Sequence, residues 1–209
     1  IDAEWLSRLE QLAGPASEAA VAWIAASLTA RGLASQIAES TDRMGKLVKA
    51  IKAYAFMDRG ELVETDIHEG LETTLTVLGH KLKHTSIEVE RHYDKTLPKL
   101  TLRGSELNQV WTNLLANAIE ALGDAGTITI TTGRDGVCAK VDIADDGPGI
   151  PDAVRDRVFD PFFTTKSVGE GTGLGLDTAR RIVTERLNGS IAFDSEPGST
   201  VFHIWLPLN

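Results

Sequence analysis

Ile143-Ala144-Asp145-Asp146-Gly147-Pro148-Gly149-Ile150 ends a β-rich segment with a carboxylate and two glycines. A carboxylate at a strand end, followed by glycines, sets a hydrogen-bond acceptor beside a backbone that a ligand can approach closely. An adenine amino group is a natural partner for that acceptor. Asp-Gly-Pro-Gly is also strong turn chemistry in its own right, so both readings stand at this point.

Three more clusters lie between residues 113 and 176. Asn113-Leu-Leu-Ala-Asn117 falls inside a helical pattern, and i,i+4 spacing puts both carboxamides on one face. Asparagine is a mediocre helix former, so a pair on one face is either a solvated surface or a functional one. Neutral carboxamide oxygens can ligate a hard cation such as Mg²⁺ beside phosphates without adding negative charge. Phe159-Asp-Pro-Phe-Phe-Thr-Thr-Lys166 reads as a hydrophobic anchor for a loop whose Lys166 can reach phosphate. Gly169-Glu-Gly171-Thr172-Gly173-Leu174-Gly175-Leu176 opens the next helix, where glycine amides and the helix dipole can hold an anion. The glycine run lacks the preceding strand and downstream acidic residue of a dinucleotide-binding motif.

Taken in order, these clusters resemble the ATP-binding catalytic domain of bacterial sensor histidine kinases, in the superfamily shared with gyrase, Hsp90 and MutL. Asn113 to Asn117 is similar to the N box, Asp145 to Gly149 to the G1 box, Phe159 to Lys166 to the F box, and Gly171 to Leu176 to the G2 box. Gly198-Ser-Thr200-Val-Phe202, with Leu206-Pro207 behind it, resembles the family's closing hairpin. The resemblance covers about residues 66–209. It implies an α+β fold: a Bergerat-type α/β sandwich with a mixed sheet of about five strands, three helices and a mobile lid, preceded by an N-terminal helical segment.

The resemblance also implies the roles. Asn117 ligates Mg²⁺, and Asn113 assists at the phosphates or metal. Asp145 accepts from the adenine amino group, and Gly147, Gly149 and Ile150 close the backbone on the base. Lys166 and the Gly171–Leu176 stretch face the phosphates, and Thr200 lies under the adenine through water. Hydrolases of the superfamily, with its serine and mitochondrial kinases, place Glu four residues before the metal-ligating Asn as general base. Here that position is Asn113, which cannot take a proton. A neutral imidazole needs no base, because a ring nitrogen already carries a free lone pair. Positioning and charge neutralisation then suffice for phosphoryl transfer. The expected activity is an ATP-dependent protein-histidine kinase, with Asn113 and Lys166 as catalytic candidates. A response-regulator receiver domain is the expected partner. A nucleotide-gated scaffold and an ATPase are the alternatives.

Outward from these clusters the pattern is mixed α/β. Residues 66–83 read as a helix opened by an Asp66/Glu69 capping box, and Ser86–Asp94 as a strand. Ser105–Leu122 reads as a helix with Ser105 as N-cap. Thr127–Thr132 and Val137–Ile143 read as strands about an Arg134-Asp135-Gly136 turn. Thr172–Leu187 is an expected helix with Gly189 as its C′ residue. Ser190–Asp194 and Thr200–Leu206 form a hairpin about Glu196-Pro197-Gly198-Ser199.

Upstream of Gly60 strand signals vanish. Segments at 3–13, 16–31 and 35–58 read as helices, broken at Gly14-Pro15 and Gly32. Ile37, Thr41, Met44, Val48, Ile51 and Ala55, widened by Leu47 and Tyr54, repeat at the spacing of a bundle or coiled-coil seam. That stripe fits either a helix lying on its own domain or one facing a second subunit. Arg43, Lys46, Lys49 and Lys52 form a basic ridge, solvated or docking a partner. The expected domains are 1–62, a partial dimerisation hairpin with an insertion, and 63–209, the catalytic domain. A homodimer through the N-terminal helices follows from the same resemblance.

A histidine kinase needs an acceptor, and none of His68, His80, His84, His92 and His203 lies in the N-terminal helices. His68-Glu69 fits a histidine followed by an acid but reads as a helix start, and His80/His84 as a surface pair. The simplest account is a longer sensor kinase whose acceptor helix precedes Ile1. Of 209 residues 42% are hydrophobic and 24% charged, which excludes wholesale disorder. Residues 1–60 hold seven acids and seven bases, so the excess of 30 acids over 21 bases falls wholly in 61–209. Such a surface repels nucleic acid and anionic lipid. No apolar run is long enough for a membrane helix, the start lacks a basic signal-peptide region, and Cys138 is the lone cysteine; a cytoplasmic setting is expected.

Overall fold

The structure, a computed structural model, describes residues 16–56, 62–166 and 171–208. The chain separates into two compact units, Ile1–Lys49 and Ala50–Asn209.

Helix α1 runs unbroken over Ser17–Phe56. The expected break at Gly32 does not occur. One glycine costs a helix about 1 kcal/mol relative to alanine, which the Ala- and Leu-rich flanks absorb. Of the expected seam, Ile37 and Met44 are exposed, and the Thr41 hydroxyl donates to the Ile37 carbonyl at 2.8 Å. The expected helix at 3–13 and the Gly14-Pro15 break lie outside the described residues. So do the side chains of Arg43 and of residues 46–56, and with them most of the basic ridge and seam.

The second unit is two-layered. Strands β1 (Val63–Thr65) and β3 (Leu100–Leu102) form a small antiparallel pair that the alternation pattern missed, being only three residues each. Helix α2 (Ile67–Leu82) starts at Asp66, whose carboxylate accepts from the His68 and Glu69 amides, as expected of an N-cap. Helix α3 (Gly104–Leu122) starts at Arg103 rather than Ser105, without a side-chain cap. The five-stranded sheet contains β2 (Ser86–His92), β4 (Ala125–Asp135), β5 (Cys138–Asp145), β6 (Ser190–Glu196) and β7 (Ser199–Pro207), in the order β2-β4-β5-β7-β6. β2 runs parallel to β4 and every other pairing is antiparallel. Asp135 pairs with Cys138, so the first hairpin turns at Gly136-Val137, slightly later than expected.

Helix α4 (Gly175–Arg181) is shorter than the expected helix, because it relaxes into a π turn over Ile182–Arg186. Its terminal left-handed residue is Asn188 (φ 52°), not Gly189. Gly189 is needed for a different reason: a Cβ there would collide with the Trp205 carbonyl.

The core lies between the helices and one sheet face. Ile128, Ile130, Val141, Ile143, Ile204 and Leu206 from the sheet meet Leu71, Leu75, Trp111, Leu114, Leu115 and Ile182 from the helices. The strict inward-outward alternation of β5 and β7 fixes which face each residue takes. As a result the last inward position of β5, Asp145, is a buried carboxylate at the sheet's end.

Candidate functional site

Helix α3 carries Asn113, Asn117 and Ala121 on one face at i,i+4 spacing. The N-terminus of α4 meets this face at one end: a Cβ on Gly175 would lie 3.8 Å from Asn113 Oδ1. The loop after β5 meets it at the other, where a Cβ on Gly147 would lie 3.6 Å from the Ala121 methyl. Eight residues of helix span about 12 Å. The face is therefore a floor with glycine-rich backbone at each end. Asn113 Nδ2 is buried and has no hydrogen-bond partner, and both asparagines are half-buried. Such an orphaned donor, beside neutral carbonyl oxygens, fits a site that takes phosphate oxygens with a hard cation.

At the β5 end the groups are tightly placed. Asp145 is 6% exposed and accepts from the Gly147 amide at 3.1 Å. Burial pushes its carboxyl above the usual aspartate range and the charge of Asp146 adds to that, against the Gly147 bond. Gly149 has φ +80°, and a Cβ there would strike the Glu196 carbonyl, so the loop touches the β6–β7 turn through bare backbone. The Ile150 amide donates to Ser195 Oγ at 2.8 Å. Thr200 is buried and pairs in register with Asp145. Arg155, in the 3-10 turn Asp152–Arg157, donates to the Ile150 carbonyl at 3.3 Å and also to the Ser195 carbonyl, clamping loop to strand.

At the α4 end the groups sit on loop backbone. Phe159 packs edge-on against Phe193 (centroids 5.9 Å) and Phe202 (6.4 Å), which is the anchor the aromatic cluster suggested. Phe162 adopts φ +64°, and Gly173 at φ +65° lies so close that a Cβ would hit the Phe162 carbonyl. Gly171 sits against Thr164 and the Lys166 stem. The Leu174 amide is 3.4 Å from Thr172 Oγ1, and the Leu174 carbonyl accepts from the Thr178 amide at 2.9 Å, so Leu174 caps α4 with its backbone. Leu176, in the first turn of α4, packs against the core. Gly169 lies outside the described residues. Lys166 is ion-paired with Glu120, which also holds Lys81 at 2.6 Å. Burial raises the Glu120 pKa, but hydrogen bonds and charge from both lysines outweigh it, and the net shift is downward. This carboxylate, one turn beyond Asn117, is thus a poor base.

Four of the five histidines have partners elsewhere, and His84 is exposed. His68 Nε2 lies 2.9 Å from Thr132 Oγ1, its Nδ1 3.4 Å from Asp66, and its ring stacks on Tyr93 at 4.8 Å. His203 sits between Asp142 (2.7 Å) and Asp194 (3.1 Å) on the outward sheet face. His80 bonds the Val77 carbonyl and His92 pairs with Glu90, and no metal-binding cluster of His, Cys, Asp or Glu occurs among the described residues.

Residues 103–209 match the family model of histidine kinase-, DNA gyrase B- and HSP90-like ATPases. The chain belongs to this family. Among its curated relatives are the sensor histidine kinase ZraS of Escherichia coli K12, 33% identical across 86% of this chain, and the sensory histidine kinase/phosphatase NtrB of Rhodobacter capsulatus, 33% identical across 88%. The chain spans only 38% of the ZraS length and 56% of the NtrB length. Among solved structures, the catalytic domain of the histidine kinase ThkA superposes with a TM-score of 0.64 at 31% identity, covering 70% of this chain and 95% of that domain. ThkA in complex with the response regulator protein TrrA matches 99% of this chain and 62% of that one, at TM-score 0.71 and 24% identity, which speaks to fold. The mixed five-stranded sheet with its helical layer is this family's fold, and the family's nucleotide is ATP. No helix among the described residues is long and apolar enough to cross a membrane.

Sequence reasoning passed over Ser195, Arg155 and Glu120. Two of them had a signal. A turn at Glu196–Ser199 already places Ser195 opposite Thr200, and Glu120 sits one turn after Asn117 on the asparagine face. Its local ion pair with Asp152, three residues away, does not mark Arg155 as a clamp, because the carbonyls it ties together are 5 and 40 residues away.

Proposed function

We propose that this chain is the ATP-binding catalytic part of a protein-histidine kinase in a two-component system. Residues 63–209 are the catalytic domain, 1–62 are a partial dimerisation hairpin with an insertion, and a response-regulator aspartate is the eventual phosphate recipient. The observation that carries the reading is that the α3 face presents a neutral carboxamide, Asn113, one turn before Asn117, where the superfamily's hydrolases place a general base. Asn113 stands at the α4 end, and Glu120, the carboxylate on the same face one turn beyond Asn117, has its pKa lowered by two lysines and is a weak base. Activating water or a serine hydroxyl needs a general base, whereas a neutral imidazole does not. The relatives that match most of this chain are named histidine kinases, which points the same way.

In this reading Asn117 and Asn113 hold Mg²⁺ and phosphate oxygens on the α3 face, and the cation supplies charge neutralisation at the phosphates. Lys166 and the backbone amides from Gly171 to Gly175, with Thr172, Leu174 and Leu176 shaping that loop, hold the anionic end. Asp145 accepts from the adenine amino group while Gly147, Gly149 and Ile150 enclose the base and Thr200 serves its edge. The imidazole lone pair forms the new P–N bond as the bond from the γ-phosphorus to the β–γ bridging oxygen breaks, and ADP leaves with that electron pair. The chain's task is to hold donor and acceptor in line. The test is calorimetric titration with ATP and MgCl₂, followed by incubation with γ-labelled ATP and a separate helical hairpin bearing an acceptor histidine. Acid-labile, base-stable label on the hairpin is expected. Binding without transfer would favour a nucleotide-gated scaffold, and steady phosphate release without acceptor would favour an ATPase.

A further inference from the structure

Three side chains form one row across the end of the sheet. Asp145 on β5 pairs in register with Thr200 on β7, and Thr200 pairs in register with Ser195 on β6. Cross-strand partners leave the sheet on the same side, with Cβ atoms about 5 Å apart. Ser195 Oγ is the hub of the row's outer end. It accepts from the Ile150 amide at 2.8 Å and lies 3.0 Å from Thr200 Oγ1 and 3.3 Å from the Ser199 carbonyl.

Ser195 has one proton and two acceptors within reach. The Thr200 oxygen is the nearer of the two, at 3.0 Å against 3.3 Å, and a Ser195 proton given to it leaves none for the Ser199 carbonyl. A Thr200 hydroxyl that accepts from Ser195 retains its own proton for the pocket. The row then offers an acceptor, the Asp145 carboxylate, next to a donor, the Thr200 hydroxyl. The complement of that pattern is an edge with an amino donor beside a ring-nitrogen acceptor. Adenine has that edge in its N6 amino group and N1. Guanine and hypoxanthine reverse it, with O6 as acceptor and N1–H as donor. A single water between Thr200 and the base keeps the polarity, since it accepts from one and donates to the other.

We propose that Ser195 is a positioning residue that fixes the proton of Thr200 and so makes the pocket select adenine over the 6-oxopurines. The proposal rests on the ATP-binding reading above and adds to it a residue outside the four boxes. Without Ser195 the Thr200 hydroxyl can rotate to accept or donate, and the pocket loses its polarity at that point while Asp145 keeps its own.

The test measures the affinity of the intact chain for ATP, GTP and 1-deaza-ATP, which carries C–H in place of N1, in the parent and in Ser195→Ala and Ser195→Thr. The parent should bind 1-deaza-ATP about tenfold more weakly than ATP, as expected for one lost hydrogen bond in a buried site. In Ser195→Ala the ATP/1-deaza-ATP ratio should fall to within about threefold of one, and the ATP/GTP preference should fall by about the same factor. Ser195→Thr should restore both ratios. A general loosening of the loop would lower all three affinities together and leave the ratios unchanged, and that result would overturn the proposal. Equal binding of ATP and 1-deaza-ATP by the parent would also overturn it, whether or not the alanine variant folds. If the parent binds no ATP at all, the nucleotide reading falls and takes this proposal with it; ratios left unchanged by Ser195→Ala, in a parent that does bind ATP, remove this proposal alone.

Discussion

The two ends of the α3 face differ in how they are held. At the β5 end the candidate groups hang on strand register: Asp145, Thr200 and Ser195 are neighbours across three strands, and Arg155 ties the adjoining loop to β6. At the α4 end the corresponding groups sit on loop backbone, and Lys166 is occupied by Glu120. The proposed purine end is thus set by folding itself. The proposed phosphate end would exchange internal contacts for ligand contacts, because Lys166 cannot serve Glu120 and a phosphate equally. A rigid base pocket gives selectivity, while an adjustable phosphate end gives a place where transfer and release can be timed.

The largest effect is expected where the two ends share one scaffold. Asn117→Ala should lower Mg²⁺-dependent ATP affinity by about a hundredfold by calorimetry, in line with losing a direct contact to the cation. Unchanged affinity would remove the asparagine face from the site. Asp145→Asn comes next. ATP binding should weaken about tenfold to a hundredfold, as for a lost charged hydrogen-bond acceptor.

The same substitution should raise the melting temperature at neutral pH. The folded-state pKa of Asp145 is raised, so its favourable contribution exists only below the unfolded value and is lost as pH rises through the folded one. At neutral pH the ionised carboxylate is a cost that asparagine removes. ATP affinity of the parent should correspondingly begin to fall on acidification above the ordinary aspartate range, a limb that Asp145→Asn lacks. Gly149→Ala should cost about 1–3 kcal/mol in urea unfolding, since φ +80° and the Glu196 carbonyl both oppose a side chain. The smallest effect is at the adjustable end. Glu120→Gln should raise ATP affinity only about twofold to threefold by freeing Lys166, because the half-exposed pair it breaks is worth under about 1 kcal/mol. A tenfold change there would mean that the phosphate end is as firmly built as the base end.

The asparagine pair, the Asp-Gly-Pro-Gly turn, the aromatic anchor and the glycine run were legible because each is a local pattern with a local cause: helix spacing, turn chemistry, backbone permissiveness. Strand existence was legible from alternation, and the helix start at Asp66 from its cap. The Gly32 break and the Ser105 cap were misread. A lone glycine is a small penalty within a long helical run, and α3 begins at Gly104, so that Ser105 already lies inside its first turn. Asp145 could be picked out as an acceptor, but not its burial or its raised pKa, which come from the strands and loop closing over it.

The order of residue types along the chain therefore determined the layer architecture, the family and most of the groups proposed to meet the nucleotide, since periodicity and turn chemistry act over a few residues. Only the tertiary structure decided that Ser195 stands behind Thr200, that Arg155 pins Ile150 to β6, and that Glu120 competes for Lys166. Those contacts join residues about 40 apart or close a strand register, and a short-range pattern carries no information about which distant partner a group will find.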